Sequence, residues 1–288
     1  TFGIDSNVNS ATGSGSLAIP AIGTVTLGPG LTRLSDNFLA FSAGASVAHP
    51  LSTEWSFVGG ARIGGRFNQG DDLKTLFDTS SLDADAGARW ARDKNSVTLG
   101  VQVNSFYLDN NRFRDAAGVV GQWQHNLSDT SQISVFGQWT DLRYPTQGIR
   151  DAERSIAGVA YARSLQLAYS PVVFVSGYFG SEKEKAAGVP HLGHDPLGLR
   201  AGVQLTLQPD RLFLNGYAGY EERHYGGQEP LFGIARKDRQ TDLRVGMQWR
   251  FAPGWSLNPQ ISYTDNRSSV TLFKYDRTVT SVSLRKDF

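Results

Sequence analysis

The sequence predicts an all-β protein, a transmembrane antiparallel up-and-down β-barrel of about fourteen strands. Three observations carry that reading. The first is the stretch from Thr241 to Tyr263. Thr241, Leu243, Val245, Met247, Trp249 and Phe251 alternate with Asp242, Arg244, Gly246, Gln248 and Arg250. Successive side chains of a strand point to opposite faces, so one face is apolar and the other charged. After Ala252-Pro253-Gly254 the pattern resumes with Trp255, Leu257, Pro259, Ile261 and Tyr263. Each arm of this hairpin is about ten residues, the length that crosses a bilayer, whereas strands of soluble domains average about five or six. The second observation is that the unit repeats along the chain. The third is that the connections alternate between short and long, as in barrels with tight turns on one side and loops on the other.

In chain order, a short strand is expected within Thr1 to Asn9, and residues 10–35, rich in Gly, Ser, Thr and Pro, read as a long loop. Period-two alternation then begins. Leu39, Phe41, Ala43, Ala45 and Val47 are followed, after a turn at His49 to Ser52, by Trp55, Phe57, Gly59, Ala61 and Ile63. Asn68 to Thr75 reads as a polar loop. Leu82 to Trp90 and Val97 to Val103 flank a tight turn at Arg92 to Asn95. Asp109 to Asp115 reads as a charged loop, and Ala117 to Trp123 and Ile133 to Trp139 flank a turn at Asn126 to Thr130. Beyond a loop at Arg143 to Arg150, Ala157 to Tyr161 is a weaker strand and Ser164 to Ser170 is ambiguous. Val173 to Phe179 is clearer. Residues 181–196 form a loop, and Leu199 to Leu205 and Phe213 to Glu221 flank the turn Gln208-Pro209-Asp210. Residues 223–238 and 265–275 are loops on either side of the opening hairpin, and the last strand ends at Phe288. Short turns near 49, 93, 128, 166, 209 and 253 alternate with long connections near 20, 72, 112, 147, 188, 230 and 270. Under the barrel rule both termini then lie on the periplasmic side. A large soluble sheet would leave long strand edges unprotected.

Composition agrees. The 28 basic and 27 acidic residues of the 288 nearly balance, so no nucleic-acid partner is indicated. Cysteine is absent, which favours an oxidising or surface compartment. No window approaches the roughly 18 apolar residues of a membrane helix. The chain starts without an initiator Met, and it is expected to be the barrel domain, residues 1–288, of a longer protein.

Two terminal features point to a class. Val282-Ser283-Leu284-Arg285-Lys286-Asp287-Phe288 ends an alternating strand on an aromatic. It resembles the assembly signal of bacterial outer-membrane barrels. Gly3-Ile4-Asp5-Ser6-Asn7-Val8-Asn9 resembles the Gly-x-Asp-x-Asn-x-Asn run that opens the barrel of surface lipoprotein assembly modifiers. That resemblance implies a Gram-negative outer-membrane barrel, an upstream periplasmic domain of helical repeats, and help in translocating or displaying a client surface lipoprotein. The implied partners are outer-membrane lipid, the client, and the barrel assembly machinery during biogenesis. No cofactor is implied. A diffusion porin or exopolysaccharide export barrel remains a rival, and so does an outer-membrane lipid-modifying enzyme.

For the enzyme reading the candidates are His49, His125, His191, His194 and His224. No Gly-x-Ser-x-Gly elbow accompanies them. His191-x-x-His194-Asp195 is a weak metal pattern with no fourth ligand. No catalytic or metal residue is therefore assigned. The charged faces supply the remaining candidates. Arg62, Arg66, Asp83, Asp85, Arg89, Asp242, Arg244, Gln248 and Arg250 are expected to face the lumen, and their mixed signs suggest cross-strand salt bridges. A seam is expected between the first and last strands, at Ile4, Asp5 and Asn7 against Val282, Leu284 and Phe288.

Overall fold

The computed structural model describes residues 1–20 and 22–288. A four-residue strand, β1 (Phe2–Asp5), begins the wall, and the chain then leaves it for a small hairpin of β2 (Ser16–Ile19) and β3 (Gly23–Thr26). The wall continues with β4 (Asp36–Pro50), β5 (Trp55–Asn68), a helical turn α1 (Asp72–Thr75), β6 (Thr79–Arg92), β7 (Asn95–Leu108), β8 (Asn111–Ser128) and β9 (Ser131–Arg143). It is completed by β10 (Ala152–Ser164), β11 (Val172–Glu184), β12 (His194–Gln208), β13 (Leu212–Gln228), β14 (Ala235–Ala252), β15 (Trp255–Ser268) and β16 (Tyr275–Lys286). From β4 to β16 each strand pairs antiparallel with its neighbours in sequence, and β2 and β3 pair with each other. β1 pairs with both β16 and β4, which closes a barrel of fourteen strands.

Closure pairs most strand edges within the wall, the condition for spanning lipid without helices, but β1 covers β4 only from Asp36 to Leu39, and past Ala40 β4 ladders with β5 alone among the described residues. One face carries Leu39, Phe41, Leu99, Val101, Phe179 and Leu199, all exposed. The other carries the buried polar groups Asp5, Asp238 and Asn266. Tryptophans cluster at the short-turn end of the apolar face. Trp55 shares a rung with Trp90, Trp90 with Val97, and Val97 with Trp123. Trp249 and Trp255 lie at the same end of β14 and β15. Such a belt marks a membrane–water interface.

The strands run farther than alternation alone indicates. Residues 223–238 are not one loop: β13 continues to Gln228 and β14 starts at Ala235. Residues 181–196 and 265–275 likewise shrink to connections between strands that end at Glu184 and Ser268 and restart at His194 and Tyr275. The charged stretch at Asp109 to Asp115 is a two-residue turn. Asp109 and Asn110 both take positive φ, 48° and 57°, the geometry of a tight hairpin, and β8 begins at Asn111. Conversely, the ambiguous stretch resolves into a connection at 165–171, longer than several on the opposite end. Alternation of length is therefore imperfect. The loop end owes its bulk to residues 6–35 and to strands that project past the apolar belt, where both faces are polar and period-two hydrophobicity vanishes.

Candidate functional site

The polar motif after Gly3 builds a clasp at the join of the wall. Asp5 sits at the last rung of β1, opposite Val279 of β16 and Asp36 of β4. Its carboxylate is fully buried. It accepts hydrogen bonds from Arg277 Nε at 3.0 and 3.1 Å, from Arg277 Nη2 at 2.5 Å and from Arg66 Nη2 at 2.5 Å. The Asn7 backbone N–H adds a fourth donor group at 2.9 Å. One carboxylate thus joins β16, β1 and β5 by charge-assisted bonds, the strong class. Gly3 is required by close approach: a Cβ there would stand 2.5 Å from the Phe38 ring, which fills that space beneath the Arg66 guanidinium, 3.9 Å away.

The two asparagines continue the clasp. Asn7 Nδ2 donates to the carbonyls of Asp276 and Ala11, both at 2.9 Å, while its Oδ1 accepts from Ala11 N–H at 3.1 Å. Asn9 Nδ2 donates to Gly30 and Thr32 carbonyls at 3.1 and 2.7 Å, and its Oδ1 accepts from Leu34 N–H at 3.2 Å. Asn7 ties the departing chain to β16. Asn9 closes the base of the 6–35 excursion. These amides replace the ladder bonds that β1 stops making after Asp5.

Beyond this clasp, the excursion forms a cap at the loop end. Leu17 of β2 packs with Phe232 and Val270 from the β13–β14 and β15–β16 connections, joined by Ile19, Leu27, Leu272 and Phe273. Val270 is 1% exposed. Under the cap, Arg236 lies 3.5 Å over the Phe273 ring and pairs with the fully buried Asp238 at 2.6 Å.

A second charged network crosses β10 to β14 on the polar face. Arg154 bonds Glu182 at 2.6 Å, and Arg223 bonds Glu221 at 2.5 Å and Gln240 at 3.0 Å. The Tyr178 hydroxyl donates to Glu221, reaching over Gly198, and accepts from Arg200 at 3.2 Å. His194 stacks on Tyr225 with ring centroids 5.0 Å apart. Residue identity gave no signal for this network, because its members come from separate strands and meet only through register.

The nine residues from the charged-face pattern fall on the face opposite Leu82, Leu243 and Val245. Arg62 and Asp83 share a rung, as do Gly60 and Asp85, Arg89 and Thr98, Asp242 and Thr264, and Arg250 and Ser256. The expected salt bridges among them do not form. Asp83 accepts instead from Asn104 at 2.7 Å and Ser81 at 3.1 Å, and Asp242 from Thr264 at 2.7 Å and Gln240 at 2.8 Å. Arg244 and Arg250 lie over the rings of Tyr217 and Phe213, at 5.7 and 4.8 Å. Among the described residues, Arg66 alone of the nine has an ion-pair partner, Asp5. Short neutral amides and hydroxyls reach the carboxylates first, and the long guanidinium groups settle over aromatic faces. Gln248 lines a groove with Tyr217, Arg244, Asn258 and Gln260.

Register also corrects the seam. Phe2 faces Val282 and Ile4 faces Thr280, so Leu284 lies past the rungs of β1 and pairs with Leu257 of β15. Phe288 extends beyond β16 and is exposed. The histidines are scattered. His49 is the next-to-last residue of β4, His125 bonds Asn95 at 2.9 Å, and His224 bonds Glu222 at 2.9 Å. His191 lies in the β11–β12 connection, while Asp195 and His194, successive strand residues, point to opposite faces.

The fold has counterparts among solved structures. OmpT, an outer membrane protein of Vibrio cholerae, is 9% identical with a TM-score of 0.50, over 99% of this chain and 95% of that one. A Pseudomonas aeruginosa FadL homologue is 11% identical with a TM-score of 0.52, over 100% of this chain and 88% of that one. At such identities the likeness is one of fold: a bacterial outer-membrane barrel. No curated protein matches the chain. The family model described as surface lipoprotein assembly modifier matches residues 1–288, through the clasp, the wall and the cap alike, and the chain belongs to that family.

Proposed function

We propose that this barrel helps a surface lipoprotein cross the outer membrane, with the short turns and both termini periplasmic and the loop end outside. The client is the partner named by the family description. The observation that carries the reading is the chemistry of the join. β1 makes four rungs with β16, and beside them the join is held by Asp5, Asn7, Arg66 and Arg277 rather than by apolar packing. Hydrogen bonds of this kind can be exchanged for those of an incoming polypeptide, which lipid cannot supply. The polar face, with Arg62, Asp85, Arg89, Gln248 and Arg250, then lines a hydrated lumen beside the join. An upstream helical-repeat domain would deliver the client to the periplasmic end.

The test is a lock across the join. Ile4 and Thr280 are direct partners, at a spacing a disulfide can bridge. Ile4→Cys/Thr280→Cys, oxidised in cells, should halt display of the lipoprotein while the barrel stays inserted and heat-modifiable, and reduction should restore display. Normal display from the locked barrel would rule out opening at this join. Steady ion conductance by the purified protein, with no lipoprotein depending on it, would favour a diffusion pore.

A further inference from the structure

Toward the loop end of the apolar face, hydrophobic residues give way to charge. On β13 Tyr220 is followed by Glu222 and His224. On β14, moving the same way, Leu243 and Thr241 lead to Arg239 and Lys237. On β15 Tyr263 leads to Asp265 and Arg267. Glu222 faces Arg239, His224 faces Lys237, and Arg239 faces Arg267.

That last rung sets two guanidinium groups side by side. Like charges directly opposite destabilise an antiparallel pair. The wall has other like-charged rungs, but cations from elsewhere compensate them. Asp265 faces Asp276, and these take Arg267 and Arg33 respectively. Asp141 faces Glu153, and Asp141 takes Lys185 and Arg143. At the Arg239–Arg267 rung the relief is partial. Glu222 already accepts from Lys237 and, at 2.9 Å, from His224, and it reaches Arg239 only at 3.8 Å. Arg267 Nε is engaged by Asp265 at 2.9 Å. The two arginine side chains remain 57% and 81% exposed. Two forked donors therefore stand open beside Lys237, in a geometry suited to tetrahedral oxyanions.

The geometry points to a lipid-phosphate site at Arg239, Arg267 and Lys237, and to the phosphorylated glycolipid of the outer leaflet as its occupant. Height favours a lipid. Arg239 lies four residues beyond Leu243, about 13 Å along the strand, and past the Tyr220 and Tyr263 rings. Acyl chains against Leu243, Val245 and Ile261 would put a headgroup at this level. Charge selects among lipids. Three cations exceed Glu222 and Asp265 by one before any ligand binds. A zwitterionic phospholipid brings its own cation and leaves that excess in place, whereas a sugar with two phosphates more than offsets it. The site shares with the proposed function only the outward orientation of the loop end. Lipid retention by purified protein reads the site, and cysteine labelling in cells reads the orientation, so the two fail separately.

The experiment uses the purified barrel in neutral detergent. Bis-phosphorylated lipid A, phosphatidylglycerol, phosphatidylcholine and inorganic phosphate are titrated in turn, and retained ligand is measured by native mass spectrometry. Lipid A should bind tightest, with an affinity that falls as salt rises. Arg239→Gln/Arg267→Gln should weaken it by roughly tenfold or more, the loss expected for charge-assisted bonds. Arg239→Lys/Arg267→Lys should recover part of the loss, and Arg143→Gln, a cation on β9, should change nothing. The heat-modified gel band confirms that each variant is folded. If the glutamine pair retains lipid A like the parent, or if phosphatidylcholine or free phosphate binds as tightly as lipid A, the site is not a lipid A site.

Discussion

Asp5 and Arg277, 272 residues apart in the chain, meet across the join of the wall through three hydrogen bonds of 2.5 to 3.1 Å. Arg66 approaches the same carboxylate from β5. The carboxylate is solvent-free, whereas the two guanidinium groups keep about a quarter of their exposure or less. Removing the shared anion strands two cations around an empty site. Asp5→Ala should therefore cost about 3–5 kcal/mol, the range for breaking a buried ion pair. Arg66→Met should cost less, because Arg277 still neutralises Asp5. Urea unfolding of the purified barrel, followed by loss of the heat-modifiable band, measures both. Equal costs would mean that the clasp does not centre on Asp5.

The fold was legible in the sequence, and the clasp was not, for one physical reason. Alternation such as Leu243-Arg244-Val245 records the difference between two environments, and every residue in the apolar belt feels it. A fourteen-strand wall follows from counting those runs. Past the belt both faces are wet, so the ends of β13 and β14 carry no such record, and the turn at Asp109-Asn110 hides among charges. Asp5, Asn7 and Asn9 stood out only by family resemblance. Their partners Arg277, Asp276 and Thr32 are fixed by closure and by the path of the 6–35 excursion, which no local pattern encodes. The salt bridges expected among Arg62, Asp83 and their neighbours failed for a related reason. Strand parity tells which face a side chain takes, and it says nothing of whether Asn104 reaches Asp83 before Arg62 does.

The two faces of β14 should respond differently to charge. Val245 is 52% exposed on the apolar face and shares rungs with Gly216 and Ile261. Val245→Arg should cost roughly 2–4 kcal/mol in a bilayer, as for other mid-depth cations on a lipid face. Gln248→Glu, placed on the polar face one step from Arg250, should cost little or nothing. Folding titrations in lipid vesicles compare them. Similar penalties at both positions would show that the polar face is not hydrated.

Orientation is tested by thiol labelling in intact cells, with sites chosen for exposure. Gly70 and Gly227 are unsuitable, since a side chain at Gly70 would meet Lys74 and Asp36, and one at Gly227 would meet Pro190. Gln147 and Leu231 lie in exposed connections at the loop end, and Lys94 in an exposed turn at the other. Cysteines at 147 and 231 should react with a membrane-impermeant reagent from outside, and one at 94 should react only after the outer membrane is opened. The reverse pattern would put the loop end and its cap in the periplasm.

The cap makes the last prediction. Leu17, Phe232 and Val270 come from three separate excursions, and their only shared feature is the apolar cluster they build over Arg236 and Asp238. Among the described residues no ladder bond joins β2–β3 to the wall; its strands pair with each other. The hairpin is therefore held largely by this packing, and one buried charge should release it. Val270→Asp would place a carboxylate where 1% of the side chain now meets solvent, a cost of several kcal/mol unless the hairpin lifts away. The wall does not depend on Val270, so the barrel should still insert and shift in heat-modified gels. Proteinase K should then cut within residues 16–26 at concentrations that leave the parent intact. Single-channel conductance in planar bilayers should rise together with the cleavage. A hairpin that is freed and cut while conductance stays at the parent level would show that the cap does not close the path.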